Sequence, residues 1–406
     1  MEHKITDVRA DEVCDSRGNP TLHVTVFAGE MAGSFSVPSG ASTGSMEAME
    51  LRDGEGGGAH VAKAIANIVG PIKDKLMDMD VFDQKMIDRT MVELDGTPQK
   101  SNLGGNAMIG VSIATARVAS RVRGTEIYEY LRNLRSIKPS RDVPFLYSNL
   151  VNGGKHAKSH LAFQEFMVVP NVAKASEALS MLIEIEKSLG EIVRADYGNV
   201  KRGDEGGYAL DIKDVSIPLE LLTRAVKKVG VSEKIRFALD VAASSFFDSN
   251  LKKYKVGDDV LSREELLAVY KLLVNKFPIF SIEDPFEEND FEGFALLRKE
   301  LSKLIVVGDD LTVTNKAQLE KAIDKNSVNA IIIKPNQIGT LTEVLDAMEL
   351  ARNNNIECIV SHRSGETEDS FIADMAYAFG TFGLKSGAPV PKERLAKYNR
   401  LIAISE

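Results

Sequence analysis

The chain has 406 residues, 44% hydrophobic and 27% charged, enough for a large core and for two domains. Its formal net charge is −9 and it has no long basic run, which argues against a nucleic-acid or anionic-membrane surface. Cys14 and Cys358 make neither a disulfide framework nor a zinc pattern. The N-terminus has no apolar leader core and no run reaches membrane-spanning length, so a cytoplasmic protein is expected.

Near the start, "TLHVTVFAG" (21–29) alternates like a half-buried strand, and "GSFSVP" (33–38) can pair with it. A Gly- and Ser-rich loop follows over 39–58. Helical patterns occupy 60–78, 81–93 and 104–133. Residues 1–135 therefore read as a smaller α+β domain, a short antiparallel sheet with helices. "SIKPSRDVP" (136–144) has linker composition, and 136–406 reads as a second domain in a different rhythm. There "IRFALD" (235–240), "FPIFSIED" (277–284), "LIVVGDD" (304–310), "NAIIIKP" (329–335), "IECIVSH" (356–362) and "TFGLKSG" (381–387) alternate with amphipathic stretches. That alternation predicts an α/β fold with a parallel sheet, and its length suits a TIM-like βα barrel. An open doubly wound sheet is the alternative, but its glycine-rich turn after the first strand is missing.

Each of these six runs ends in an ionisable side chain: Asp240, Glu283, Asp309, Lys334, His362 and Lys385. Barrel strands end at one mouth, so the six heads would converge. Three converging carboxylates repel unless protonated or bound to a cation. Oxygen-only ligands select a hard ion, Mg²⁺ before Mn²⁺ or Ca²⁺. The plain structural alternative is that Asp240 and Asp309 cap the next helices. Lys334, placed near divalent cations and partly desolvated, is expected to have a lowered pKa and to serve as a general base. A base beside a metal suits removal of a proton α to a carboxylate. The bland reading has Lys334 snorkelling to the rim.

Fourteen motifs, in order from 15 to 399, resemble those of the enolase family of phosphopyruvate hydratases. Among them are "DSRGNPT", "PSGASTG", "VNGGKHA", "QEFM", "GDEGG", "SIEDPF", "GDDLTVTN", "IIKPNQIGT", "SHRSGETED", "KSGAP" and "RLAKYN". The resemblance implies a reversible Mg²⁺-dependent dehydration of 2-phosphoglycerate to phosphoenolpyruvate in glycolysis and gluconeogenesis. It implies Lys334 as the base for the C2 proton and Glu205 as the acid for the departing C3 hydroxyl. Glu165 is similar to the partner carboxylate of that acid, and His156 to the loop histidine that closes near it. Gln164, His362 and Lys385 resemble substrate contacts, and Arg363 and Ser364 the phosphate clamp. Asp240, Glu283 and Asp309 would hold a first Mg²⁺. Ser42 would hold a second that arrives with substrate. A homodimer or higher homo-oligomer is implied as well.

Departures fall mainly in loops: Ser245 after Asp240, Lys155, Lys158 and His160 in "GGKHAKSHL", and the short "EGGG" at 55–58. Two other readings stand beside this one. Another dehydratase or racemase of the wider superfamily would not be expected to have "SHRS" with "GASTG". A silent binding or structural protein would be expected to have lost Glu205, Lys334 or a metal ligand, and none is lost.

Overall fold

The computed structural model describes residues 3–41, 44–54, 60–157 and 159–406. Ser42, Lys158 and the 55–58 stretch lie outside the described residues. Strands β1 (Ile5–Cys14), β2 (Pro20–Ala28) and β3 (Met31–Ser36) form an antiparallel meander. The charge-rich β1, "ITDVRADEVC", has no clean alternation and went unread in the sequence. Behind the sheet lie the helices Gln84–Asp95, Gly105–Arg123 and Ile127–Leu134. The single helix expected over 104–133 is two, because Gly124 (φ +71°) ends the first in the left-handed conformation. The 60–78 pattern breaks around Pro71 into the helix Ala62–Asn67, a π-helical turn Ile68–Ile72 and the helix Lys73–Leu76.

The rest of the chain supplies β4 (Phe145–Asn152), β5 (Glu165–Pro170), the short β6 (Tyr208–Ala209) and β7 (Ile235–Asp240). Next come β8 (Phe247–Asp248), β9 (Lys253–Val256) and β10 (Asp259–Leu261), a small separate sheet. The chain then gives β11 (Ile279–Glu283), β12 (Ile305–Gly308), β13 (Ala330–Ile333), β14 (Glu357–Ser361) and β15 (Gly383–Lys385). A closed barrel runs β4-β5-β7-β11-β12-β13-β14-β15 and back to β4. The barrel is as expected, with one difference: β5 runs antiparallel to both neighbours. Among the described residues no α-helix separates β4 from β5, only the 3-10 turn Gly154–His156 and a loop, and such a connection reverses the chain.

The barrel strands are largely buried on both faces. Ala330 and Ile332 point inward, with Phe145, Tyr147, Met167, Val169, Val307 and Ile359 filling the barrel. Ile331 and Ile333 point outward into the core beneath the helices. The barrel is a packed core, so ligands are confined to its mouth. Helices outside it are capped by Ser262, Asp290, Asn315 and Thr340, each accepting from backbone N–H groups of its first turn. No helix among the described residues is long and apolar enough to cross a membrane.

The first sheet is tied to the barrel mouth. Ser39 and Gly365 exchange backbone hydrogen bonds of 2.7 and 2.8 Å, and Arg117 Nη2 donates to Asp369 Oδ1 at 2.7 Å. The sheet itself lies close on the helix Gly105–Arg123. A Cβ on Gly33 would sit 2.2 Å from Val118 N and 2.4 Å from Ala114 O, backbone atoms that cannot swing aside. Gly33→Ala is therefore expected to lower stability by about 1–3 kcal/mol in urea unfolding, with an unchanged midpoint as the contrary result.

Candidate active site

Strand register builds the site. Glu165 pairs with Asp240 across β5 and β7, and Asp240 with Glu283 across β7 and β11. Three carboxylates thus stand side by side at the mouth. Lys385, the last residue of β15, places its Nζ among them, 3.1 Å from Glu165 Oε2, 3.1 Å from Asp240 Oδ2 and 2.9 Å from Glu283 Oε2. All four side chains are buried. Gln164 Nε2 adds a long 3.4 Å donation to Asp240 Oδ2.

Asp309 follows β12 and Lys334 follows β13, and the two form an ion pair. Gln337 Nε2 donates to the other Asp309 oxygen at 2.9 Å. Neither Asp240 nor Asp309 caps a helix, since Ser262 and Asn315 do so downstream. Asp284 turns sharply after Glu283, with φ +43°. Its carboxylate accepts from Asp309 N at 2.9 Å and Asp310 N at 2.7 Å, which braces the turn after β12. Asp284, Asp309 and Asp310 offer oxygens within 4.8 Å of one another, a set able to hold a metal ion. So the three expected ligands divide: Asp240 and Glu283 gather round Lys385, and Asp309 joins Asp284 and Asp310.

Opposite lies an acid pair. His156 Nδ1 is 3.4 Å from Glu165 Oε1 and 3.3 Å from Glu205 Oε1. His362 Nε2 is 3.4 Å from the same Glu205 oxygen, and Asn149 Nδ2 donates to Oε2 at 2.9 Å. At the other side Arg363 Nη2 meets Glu47 Oε2 at 3.0 Å while Nη1 donates to Asn336 Oδ1 at 2.8 Å. Ser364 Oγ accepts from Ala41 N at 2.6 Å, which docks the early glycine-rich loop on the clamp. Glu47, Asn149, Asp284 and Asp310 were not read from the sequence. Asp284 and Asp310 had a signal, as second acids in "ED" and "DD"; Glu47 and Asn149 had none. Lys155, His160 and Ser245 are exposed, and His160 pairs with Asp211 at 2.6 Å.

Buried charge sets the protonation. Burial raises Glu283 well above the usual carboxylate range, Asp240 adds to it and Lys385 opposes it. Burial and Asp309 push Asp310 up to about 7. Burial and neighbouring Glu205 push Glu165 up to about 7. Glu205 goes the other way: burial raises it, but the positive charge around it outweighs that. His362 is itself held well below the usual imidazole range by burial, so it stays neutral, and His156, Arg394 and Lys385 keep Glu205 ionised. Of the pair, Glu165 therefore holds a proton more readily than Glu205, the reverse of the order expected for an acid at Glu205. Lys334 also differs from expectation. Burial lowers its pKa, but the Asp309 carboxylate against it outweighs burial and the net shift is upward.

Six carboxylates line the central cavity (Glu165, Glu205, Asp240, Asp284, Asp309, Asp310), against three basic side chains, Lys334, Arg363 and Lys385. The Asp284, Asp309 and Asp310 group offers oxygen alone and fits a hard divalent cation, while His156, Glu165 and Glu205 form a second group able to hold a metal ion. The cavity is only about 20 Å³, room for one water-sized group, so a larger ligand must displace internal partners.

A closed barrel with a cation-hungry acidic mouth, buried lysines and a buried acid pair defines a metal-assisted acid–base enzyme. The chain matches the family described as "Enolase, C-terminal TIM barrel domain" over residues 140–406 and "Enolase, N-terminal domain" over 5–131. It is 48% identical over 411 residues to an enolase of Methanothrix thermoacetophila, covering 100% of this chain and 96% of that one. Its identity to the enolase of Methanopyrus kandleri is 47% over 412 residues, 99% and 96% of the two chains. To that of Campylobacter lari it is 46% over 405 residues, 98% and 96%. The chain belongs to the enolase family, and it is an enzyme of the hydro-lyase class.

Lys385 is the cation on which three buried carboxylates depend. Lys385→Met should destabilise the protein in chelator by about 3–5 kcal/mol, the usual result of leaving buried charge unpaired. Added divalent cation should restore part of the loss. An unchanged melting curve in chelator would show that the carboxylates are neutralised in another way.

Proposed function

We propose that the protein interconverts 2-phospho-D-glycerate and phosphoenolpyruvate, with the division of labour that its site residues suggest. One observation supports it most: a buried lysine and a buried carboxylate pair line the same cavity as the metal-capable acids. In this reading Lys334, released from Asp309, removes the C2 proton. Its lone pair becomes available because an ion pair that holds it charged is lost when Asp309 takes another partner. Glu205 protonates the departing C3 hydroxyl. The proton resting on Glu165 is at hand for it, since an anionic substrate beside Glu205 raises that group's proton affinity. His156 closes on this end, and Gln164 and His362 contact substrate.

Arg363 and Ser364 clamp the phosphate, for which a planar guanidinium is well shaped. Arg363 must then exchange Glu47 for the phosphate. Lys385 faces the substrate carboxylate and offsets the charge that builds on it. Asp240, Glu283 and Asp309 would hold one magnesium ion and Ser42, outside the described residues, a second. Magnesium, when bound, supplies positive charge against the carboxylate oxygens as the C2 proton leaves. The division into a capping unit over 1–135 and a catalytic barrel unit over 136–406 is supported by the two family matches that flank 135. The family resemblance supports a cytoplasmic homodimer or larger homo-oligomer.

Purified protein given 2-phosphoglycerate and Mg²⁺ should form phosphoenolpyruvate, and chelator should stop it. No product from folded protein with Mg²⁺ would sink the reading. Lys334→Ala should slow exchange of the C2 proton in deuterated water by roughly 10²–10⁴-fold, the range for a general base, while Mg²⁺ still binds. Exchange at the wild-type rate would remove Lys334 as the base.

A further inference from the structure

The motif "RLAKYN" has so far no role, yet its arginine is the largest fully buried side chain in the protein. Arg394 lies in the first turn of the last helix, Lys392–Ser405, and reaches under the site. The donors of its two terminal nitrogens can be accounted for one by one. Nη1 donates to Arg363 O at 2.6 Å and contacts His362 Nδ1. Nη2 donates to Ser364 O at 2.8 Å and Asp204 O at 3.2 Å. The four hydrogens of the two terminal nitrogens are all used.

A guanidinium has no acceptor and does not lose its proton in a protein. His362 Nδ1 must therefore offer a lone pair, and in a neutral ring the proton is then on Nε2. Nε2 is buried, has no hydrogen-bond partner, and lies 3.4 Å from Glu205 Oε1 on the cavity side. With the opposite tautomer a lone pair would face that carboxylate, and the Nδ1 hydrogen would be forced against an arginine donor.

We infer that Arg394 is a positioning residue that fixes His362 as the Nε2–H tautomer, so that the ring presents a standing donor to anionic oxygens at the acid end of the site. The same guanidinium ties the backbone beside Glu205 to that of the phosphate clamp. Burial, with Arg394, Lys385 and Lys334 nearby, keeps the ring from taking a second proton. The catalytic part of the inference rests on the proposed function; the tautomer does not.

The test is ¹⁵N NMR of histidine-labelled protein, with His362 picked out of the six histidines by its loss in His362→Gln. Wild type should show a protonated Nε2 and a bare Nδ1 across the neutral pH range. A proton on Nδ1, or on both nitrogens, overturns the inference whether or not the protein acts on 2-phosphoglycerate. In Arg394→Met the pattern should become a tautomer mixture. Dehydration kcat should fall roughly 10–100-fold, the usual cost of losing the partner that orients a functional histidine. C2-proton exchange, made at Lys334, should keep most of its rate. Arg394→Lys retains a donor for Nδ1 and should restore the wild-type pattern with part of the kcat. If Arg394→Met does not fold, the wild-type and Arg394→Lys spectra decide. An unchanged tautomer in a folded Arg394→Met, or exchange and dehydration falling together, also overturns the inference.

Discussion

The structure depends on an excess of buried negative charge at one end of a barrel. Strand register sets Glu165, Asp240 and Glu283 side by side, and the turns after β11 and β12 add Asp284, Asp309 and Asp310. Ionised carboxylates at such separations in a dry site are costly. Two responses are visible. Lysines and arginines are drawn in, Lys385 among three acids and Lys334 against Asp309. Other acids take up protons: Glu165 and Asp310 are pushed up to about 7. Both responses leave groups suited to proton transfer, a lysine held in an ion pair and carboxyls whose proton affinity reaches the neutral range.

Holding such a site takes scaffolding. Ala242 (φ +46°), Asp284 (φ +43°), Val313 (φ +41°) and Thr314 (φ +52°) all lie just past barrel strands. Left-handed backbone at residues other than glycine costs on the order of 1 kcal/mol or more, and it tends to gather at functional sites. Local bonds offset it: the Asp284 carboxylate accepts from two backbone N–H groups, and Thr314 Oγ1 accepts from Lys334 N at 3.0 Å. The first sheet adds the outer wall. Through Ser39–Gly365 and Ala41–Ser364 it brings residues 39–41 against the turn after β14. Gly40 lets Arg363 pass, since a Cβ there would meet its guanidinium at 2.1 Å.

How much of this could be read in advance follows from what each feature depends on. The six strand ends were legible because each combines an apolar run with one terminal charge, and both are local. β4, "FLYSNLVN", was not read because burial on both faces erases alternation and its polar Ser148, Asn149 and Asn152 are buried along with the apolar residues. The reversal of β5 is a property of a connection, not of a strand. Roles such as Glu205 and His156 came from the resemblance alone. The pairing of Lys334 with Asp309 and the greater proton affinity of Glu165 relative to Glu205 depend on distances between residues far apart in sequence. Arg394 shows the same limit: an arginine in a helix pattern reads as solvated surface until the fold buries it.

The most direct test of the central claim is calorimetric titration of chelated protein with Mg²⁺ near pH 6.5, in two buffers of different ionisation enthalpy. If excess buried charge governs the site, magnesium binds saturably and expels protons, because acids that hold protons in the neutral range must ionise as a cation arrives. The heats then differ between buffers. No binding, or binding with the same heat in both buffers, would contradict the account.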